Sequence, residues 1–246
     1  PTFNSEIESA RAQSRMLAER GIDRNLKLVN GGVENDNIKM SHFMATDVVE
    51  GSLHKEKNNF DASMRWAPQT QQLRRGHEVA AVLAAVKSSR AHVEKIGNLN
   101  VCVYNNSYPE TDEHMYARAD GGFEHDFILK QPPMALDETQ NLAYTGYLQL
   151  SNNLTLWDGK TQITGQHTAK GDVHIKNAFG NTVLVLLRAK AFDAAVTNAD
   201  GSFNAEKQAE PQYRRCFTGC EYQFDFDDSG IKLSIVTPGK WLKDPA

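Results

Sequence analysis

Cysteine is scarce. The 246 residues hold only Cys102, Cys216 and Cys220. An odd and low count excludes a disulfide framework. Cys216 and Cys220 flank Phe217-Thr218-Gly219 and could pair across that turn, but reduced, partly buried thiols are the plainer reading. Long apolar runs are lacking too. Val79–Val86 and Val183–Leu187 are the longest, far short of the roughly 20 residues that a membrane-spanning helix needs. A basic excess is absent. The net charge of −4 and a pI near 6.1 argue against a globally basic nucleic-acid binder, though not against a local basic face.

The common chemical motifs are missing as well. No G-x-x-x-x-G-K-[ST], G-x-G-x-x-G or G-x-S-x-G occurs. His77-Glu78 is followed by Val79, Ala80 and Ala81, so the second histidine of H-E-x-x-H is not there. His92-Val93-Glu94 matches the first half of a zinc-deaminase signature, but no P-C-x-x-C follows. No cofactor is expected on these grounds. The chain opens Pro-Thr-Phe-Asn-Ser without a basic segment followed by an apolar one. That opening leads us to expect a cytoplasmic product, or one held within an assembled particle, with no membrane partner.

What is present is a polar chain with enough apolar material for a core. Hydrophobic residues make up 40% and mean hydropathy is −0.54. A chain of this size buries a core without staples. Residues 4–20 read as a helix, capped by Asn4 or Ser5 and stopped by Gly21. Residues 30–63 are rich in Asn, Lys, Glu and Asp with scattered apolar groups. Such a segment gains too little burial to offset its chain entropy alone. It reads as an arm that must be held by its own domain or by another subunit, most simply a sister molecule. Residues 70–87 read as a second helix, with Leu73, Val79, Val82, Leu83 and Val86 apolar and Gly76 weakening its start.

From residue 90 the apolar period changes to two. Segments 90–96 and 99–104 flank Gly97-Asn98, and 114–119 and 123–129 flank Asp120-Gly121-Gly122. Segments 144–150 and 154–157 flank Asn152-Asn153, and 172–177 and 182–189 flank residues 178–181. The clearest hairpin is the last. Tyr222, Phe224 and Phe226 alternate with Gln223, Asp225 and Asp227, and after Asp228-Ser229-Gly230 come Ile231, Leu233 and Ile235. Residues 190–215 read as a long polar excursion. The expected class is therefore α+β and β-rich: an antiparallel sheet, sandwich or barrel-like, built from hairpins over residues 90–236, with helices near 4–20 and 70–87. The expected division is an N-terminal helix and arm over 1–63 and a β-rich domain over 64–246.

Three groups of residues are candidates for chemistry. Glu124-His125-Asp126 and His114 form a His/carboxylate cluster suited to acid–base work, with His114 placed opposite Phe127 or Leu129; the plainer alternative is a wet sheet face. His167 and His174, if segment 161–177 forms a hairpin, and Asp225 with Asp227 on one strand face, are candidate cation ligands. Arg65, Arg74, Arg75, Lys87 and Arg90, with Trp66 beside them, offer a basic helix face for phosphates. The leading expectation is a non-enzymatic assembly subunit, homo-oligomeric through its N-terminal arm, such as a capsid, tail or tube component of a viral or phage particle. The alternatives are a hydrolase or lyase using the His/carboxylate cluster, with or without a divalent metal, and a nucleic-acid-binding module using residues 65–95.

Overall fold

A computed structural model describes residues 27–29, 32–34, 39–42, 51–57, 60–87, 92–96, 99–117, 123–151, 153–198 and 203–244. The protein is strand-rich with several antiparallel sheets. The helix expected at 4–20 lies outside the described residues. The chain divides into two units, one of residues 1–67 and 86–131 and the other of residues 68–85 and 132–246.

In the first unit a ladder runs β1 (Lys27–Val29), β2 (Gly32–Glu34), β3 (Lys39–His42), β4 (Gly51–Lys57) and the first part of β5 (Phe60–Arg75). Each strand pairs antiparallel with the next, and Gly51 to Lys57 face Trp66 to Phe60. The described part of the polar segment is thus paired within its own chain. The expectation of an arm that must borrow a neighbour's surface loses its premise there. The unit's other sheet has the order β10-β9-β8-β7, from β7 (His92–Ile96), β8 (Leu99–Tyr108), β9 (Thr111–Ala117) and β10 (Phe123–Leu129). Both expected hairpins form here. Tyr104 and Met115 are buried on one face, and Val101 and Val103 on the other.

In the second unit, residues 70–87 are not a helix. They complete β5 and form β6 (Glu78–Ala85), which pair Thr70 with Ala85 and Arg75 with Glu78. Alanine-rich sequence favours helix, but two-residue loop chemistry wins. Gly76 takes φ +57° and supplies the left-handed first position that a tight hairpin turn requires. The sheet continues from β5 to β11 (Asn141–Leu150), β20 (Gly230–Pro238), β19 (Glu221–Asp227) and β14 (His167–Ala169). The β19–β20 hairpin forms in the expected phase, Asp227 opposite Gly230. Its apolar face buries Leu142, Tyr144, Leu148, Tyr222, Phe224 and Leu233. The hairpin expected across Asn152-Asn153 does not form. β11 pairs with β20, while β12 (Thr155–Asp158) pairs with β13 (Thr161–Ile163) and with β15 (Val173–Lys176). The ten-residue apolar alternation of β11 finds a fuller partner in the distant β20 than in four-residue β12. β15 pairs β16 (Thr182–Leu186) as expected. The 190–215 excursion is partly ordered by β17 (Lys190–Phe192) on β18 (Phe217–Gly219) and a short helix over Ala205–Ala209.

Candidate functional site

Strand register builds a polar row across the second unit's sheet. Thr145 on β11 faces Ser234 on β20, Ser234 faces Gln223 on β19, and Gln223 faces Thr168 on β14. Directly opposed residues share a sheet face. The alternation puts Gln223 and Ser234 on the face away from Tyr222, Phe224 and Leu233, yet Ser234 is 0% and Gln223 2% exposed. The cover is the end of the β5–β6 hairpin. Arg74 leaves β5 and extends over the row. It donates to Ser234 Oγ, to the His77 carbonyl at 2.5 Å and to Asp225 Oδ2 at 2.7 Å. Thr145 Oγ1 lies 2.8 Å from Ser234 Oγ and donates to Gln72 Oε1 at 3.3 Å. Arg74 Nε and Gln223 Oε1 are buried with no hydrogen-bond partner.

His77, in the hairpin loop, carries the chain of contacts to the sheet's last strand. Its Nδ1 is 2.8 Å from Asp225 Oδ1, and its Nε2 is 2.8 Å from Thr168 Oγ1. Gln166 Nε2 also donates to Asp225 Oδ1, at 3.0 Å. Partial burial works against ionising Asp225, but hydrogen bonds from Arg74, Gln166 and His77 outweigh it and hold the carboxyl below its ordinary range. An ionised carboxylate only accepts. In the neutral ring, Nδ1 therefore carries the hydrogen and donates to Asp225. Nε2 is then left bare and accepts from the Thr168 hydroxyl. A carboxylate fixing an imidazole that in turn engages a hydroxyl is the arrangement of triad chemistry.

The sequence candidates are only partly gathered. Asp225 and Asp227 do share a strand face, but each has a cationic partner: Arg74 for Asp225, and Lys232 at 2.5 Å for Asp227. His167 and His174 are not brought together. His167 pairs with Phe224 in one sheet and bonds Asp158 at 2.9 Å, whereas His174 faces Trp157 in another. Segment 161–177 is divided between sheets and is not a hairpin. The basic helix face does not exist, because 70–87 is a hairpin. Arg74 turns inward, Arg75 is an exposed partner of Asp137 at 3.6 Å, and Lys87 is exposed. Arg65 lies on β5 opposite Ser52, and Arg90 falls outside the described residues.

In the first unit, His114 faces Asp126 rather than Phe127 or Leu129, and Glu124 faces Tyr116. Burial pushes the His114 pKa down, against the pull of Asp112 and Glu94. His125 is instead on the opposite face, where its Nε2 lies 2.6 Å from Glu113 Oε2. It stacks on Phe127 at 4.8 Å and meets the Trp66 ring at 5.3 Å. Glu113 is fully buried, and its Oε1 has no hydrogen-bond partner. The adjacent triplet 124–126 was never one cluster, because strand neighbours point to opposite faces.

Among the described residues, no three His, Cys, Asp or Glu side chains gather closely enough to hold a metal ion. No described helix is long and apolar enough to cross a membrane. Cys216 and Cys220 do not pair in a disulfide. Burial pushes the Cys220 pKa up to about 11, a bonded, inert thiol beside Thr237. His77 and Thr168 are the site residues that sequence reasoning missed. Their one trace in the sequence is the Arg-Gly-His-Glu turn, where Gly76 favours a tight hairpin that ends on His77. Comparison with known proteins supplies no relative: no family model, curated protein or solved structure matches the chain.

Proposed function

We propose that the protein is a structural assembly subunit that forms a homo-oligomer. The observation that carries this reading is strand β6. It pairs with β5 on one side, and among the described residues no strand pairs with its other edge. Between Glu78 and Lys87 that edge has only Val, Ala and Leu, and Val79 and Val82 are 44% and 60% exposed. An open strand edge is a template for pairing with another chain, and soluble monomers guard it with charge or proline. Among the described residues the guard is limited to two register shifts opposite Gln71–Gln72 and Leu73–Arg74. A second copy of β6, equally apolar, suits the edge, and self-pairing of one patch closes a two-fold dimer. This moves the assembly surface from the N-terminal arm to β6.

A barrel-like curl of the second unit's sheet belongs to the same reading. Arg74 on β5 reaches Asp225 on β19 with β11 and β20 between them. Flat strands at about 4.8 Å spacing would put those positions some 14 Å apart, at the limit of what the two side chains span, and a curled sheet brings them within easier reach.

Sedimentation velocity across a concentration series tests the proposal. The native chain should run as a dimer or larger species, and Val82→Lys should run as a folded monomer. A native chain that is monomeric at every concentration, or a Val82→Lys protein that assembles as before, overturns it.

A further inference from the structure

The polar chain ending on Thr168 uses groups that assembly does not require. We propose that Thr168 is a nucleophile for carboxylic esters, with His77 as its general base and Asp225 as the positioning residue. The inference is independent of the oligomeric state.

Three observations carry it. First, Thr168 Oγ1 lies 2.8 Å from His77 Nε2, within the reach that proton transfer needs. Second, the far ring nitrogen is held at 2.8 Å by a carboxylate kept ionised by Arg74 and Gln166. This fixes both the ring's tautomer and its orientation. Third, Thr168 is only half-buried and lies on β14, the last strand of the sheet. A substrate carbonyl can approach from the side that carries no further strand among those described. Both ring nitrogens are engaged, in the order carboxylate, imidazole, hydroxyl that activates a nucleophile.

The chemistry balances with water as the only co-reactant. Thr168 Oγ1 bonds to the ester carbonyl carbon as its proton passes to His77 Nε2. The carbon–oxygen bond to the alcohol then breaks, and the departing oxygen takes that proton. Water attacks the acyl-threonine, giving its proton to His77, and the hydroxyl is restored as the carboxylic acid leaves. Arg74 shares the Asp225 carboxylate with the imidazole, so the charge available to an imidazolium is partly spent. Turnover should be slow beside that of enzymes whose triad carboxylate serves histidine alone.

The test uses the full chain with a fluorophosphonate, which loses fluoride on bonding to an activated hydroxyl, and with 4-nitrophenyl acetate. The native protein should gain one phosphonyl mass, mapped by peptide sequencing to Thr168, and should release nitrophenolate. Thr168→Val should abolish the adduct, Thr168→Ser should keep it, and His77→Gln should slow labelling at least about 100-fold, the usual scale of a lost general base. Circular dichroism melts of each variant check folding. If Thr168→Val fails to fold, the mapped adduct in the native and Thr168→Ser proteins decides alone. Absence of an adduct at residue 168 in both, or labelling in a folded Thr168→Val equal to native, overturns the proposal.

Discussion

Glu113 and His125 set out the energetics of a single buried contact. The Glu113 side chain is fully covered, His125 is its only hydrogen-bond partner among the described residues, and Trp66 and Phe127 pack against the imidazole. A polar group of this kind costs little when paired and much when orphaned. His125→Ala should therefore destabilise the protein by about 3 kcal/mol, combining the stranded carboxyl with lost ring contacts. The double variant Glu113→Leu/His125→Leu should recover part of that loss, because removing both partners leaves nothing unsatisfied. Urea unfolding of the two variants checks this; a double variant weaker than His125→Ala would refute it. The sequence showed that His125 and carboxylates were close along the chain. It did not show which carboxylate, because Glu124 and Asp126 are adjacent in number but on the other face.

At the scale of the element, patterning was legible wherever one face is apolar and the turn is short. The β19–β20 hairpin was readable because Tyr222, Phe224, Leu233 and Ile235 alternate cleanly around Asp228-Ser229. The β5–β6 hairpin was not. An exposed run of Val, Ala and Leu has no alternation to read, and its alanines argue for helix until the turn at Gly76-His77 is weighed. Likewise the polar row Thr145, Ser234, Gln223 and Thr168 reads as solvent-facing, since no local pattern announces that Arg74, some seventy residues before Thr145, will cover it. Long-range register is also what hid the β11–β20 pair. Two glycines separate turn geometry from close approach. At Gly76 an added Cβ meets nothing within 4 Å, and only the positive φ opposes it. At Gly239, which opens the helix Gly239–Lys243, an added Cβ would lie 1.9 Å from the Gln140 carbonyl oxygen. Gly76→Ala should cost about 1 kcal/mol in left-handed strain. Gly239→Ala should cost more, about 3 kcal/mol, because backbone must move. Thermal unfolding that ranks them the other way would contradict the packing at the end of β20.

Over the whole molecule, the two units should respond to acid at different pH. In the first unit, burial holds His114 below its ordinary pKa of 6.5. The groups around it are Asp112 on its own strand, Asp126 opposite on β10, and Glu94 and His92 on β7. A depressed folded-state value means that the unfolded chain takes up the proton first. The stability tied to neutral His114 is present above 6.5 and is lost as pH falls through the lower folded-state value. In the second unit, Asp225 has a folded-state value below its ordinary 3.8. The stability tied to it is present above 3.8 and disappears only in stronger acid. Hydrogen exchange followed by mass spectrometry should then show amides of β8 and β9 losing protection as pH drops below 6.5, while those of β19 and β20 hold until below 3.8. His114→Gln should flatten the first loss and leave the second untouched; Asp225→Asn should do the reverse. The two substitutions separate the units without breaking the chain. Exchange that rises in both units at one pH, in either variant, would mean that their acid responses are not governed by these two side chains.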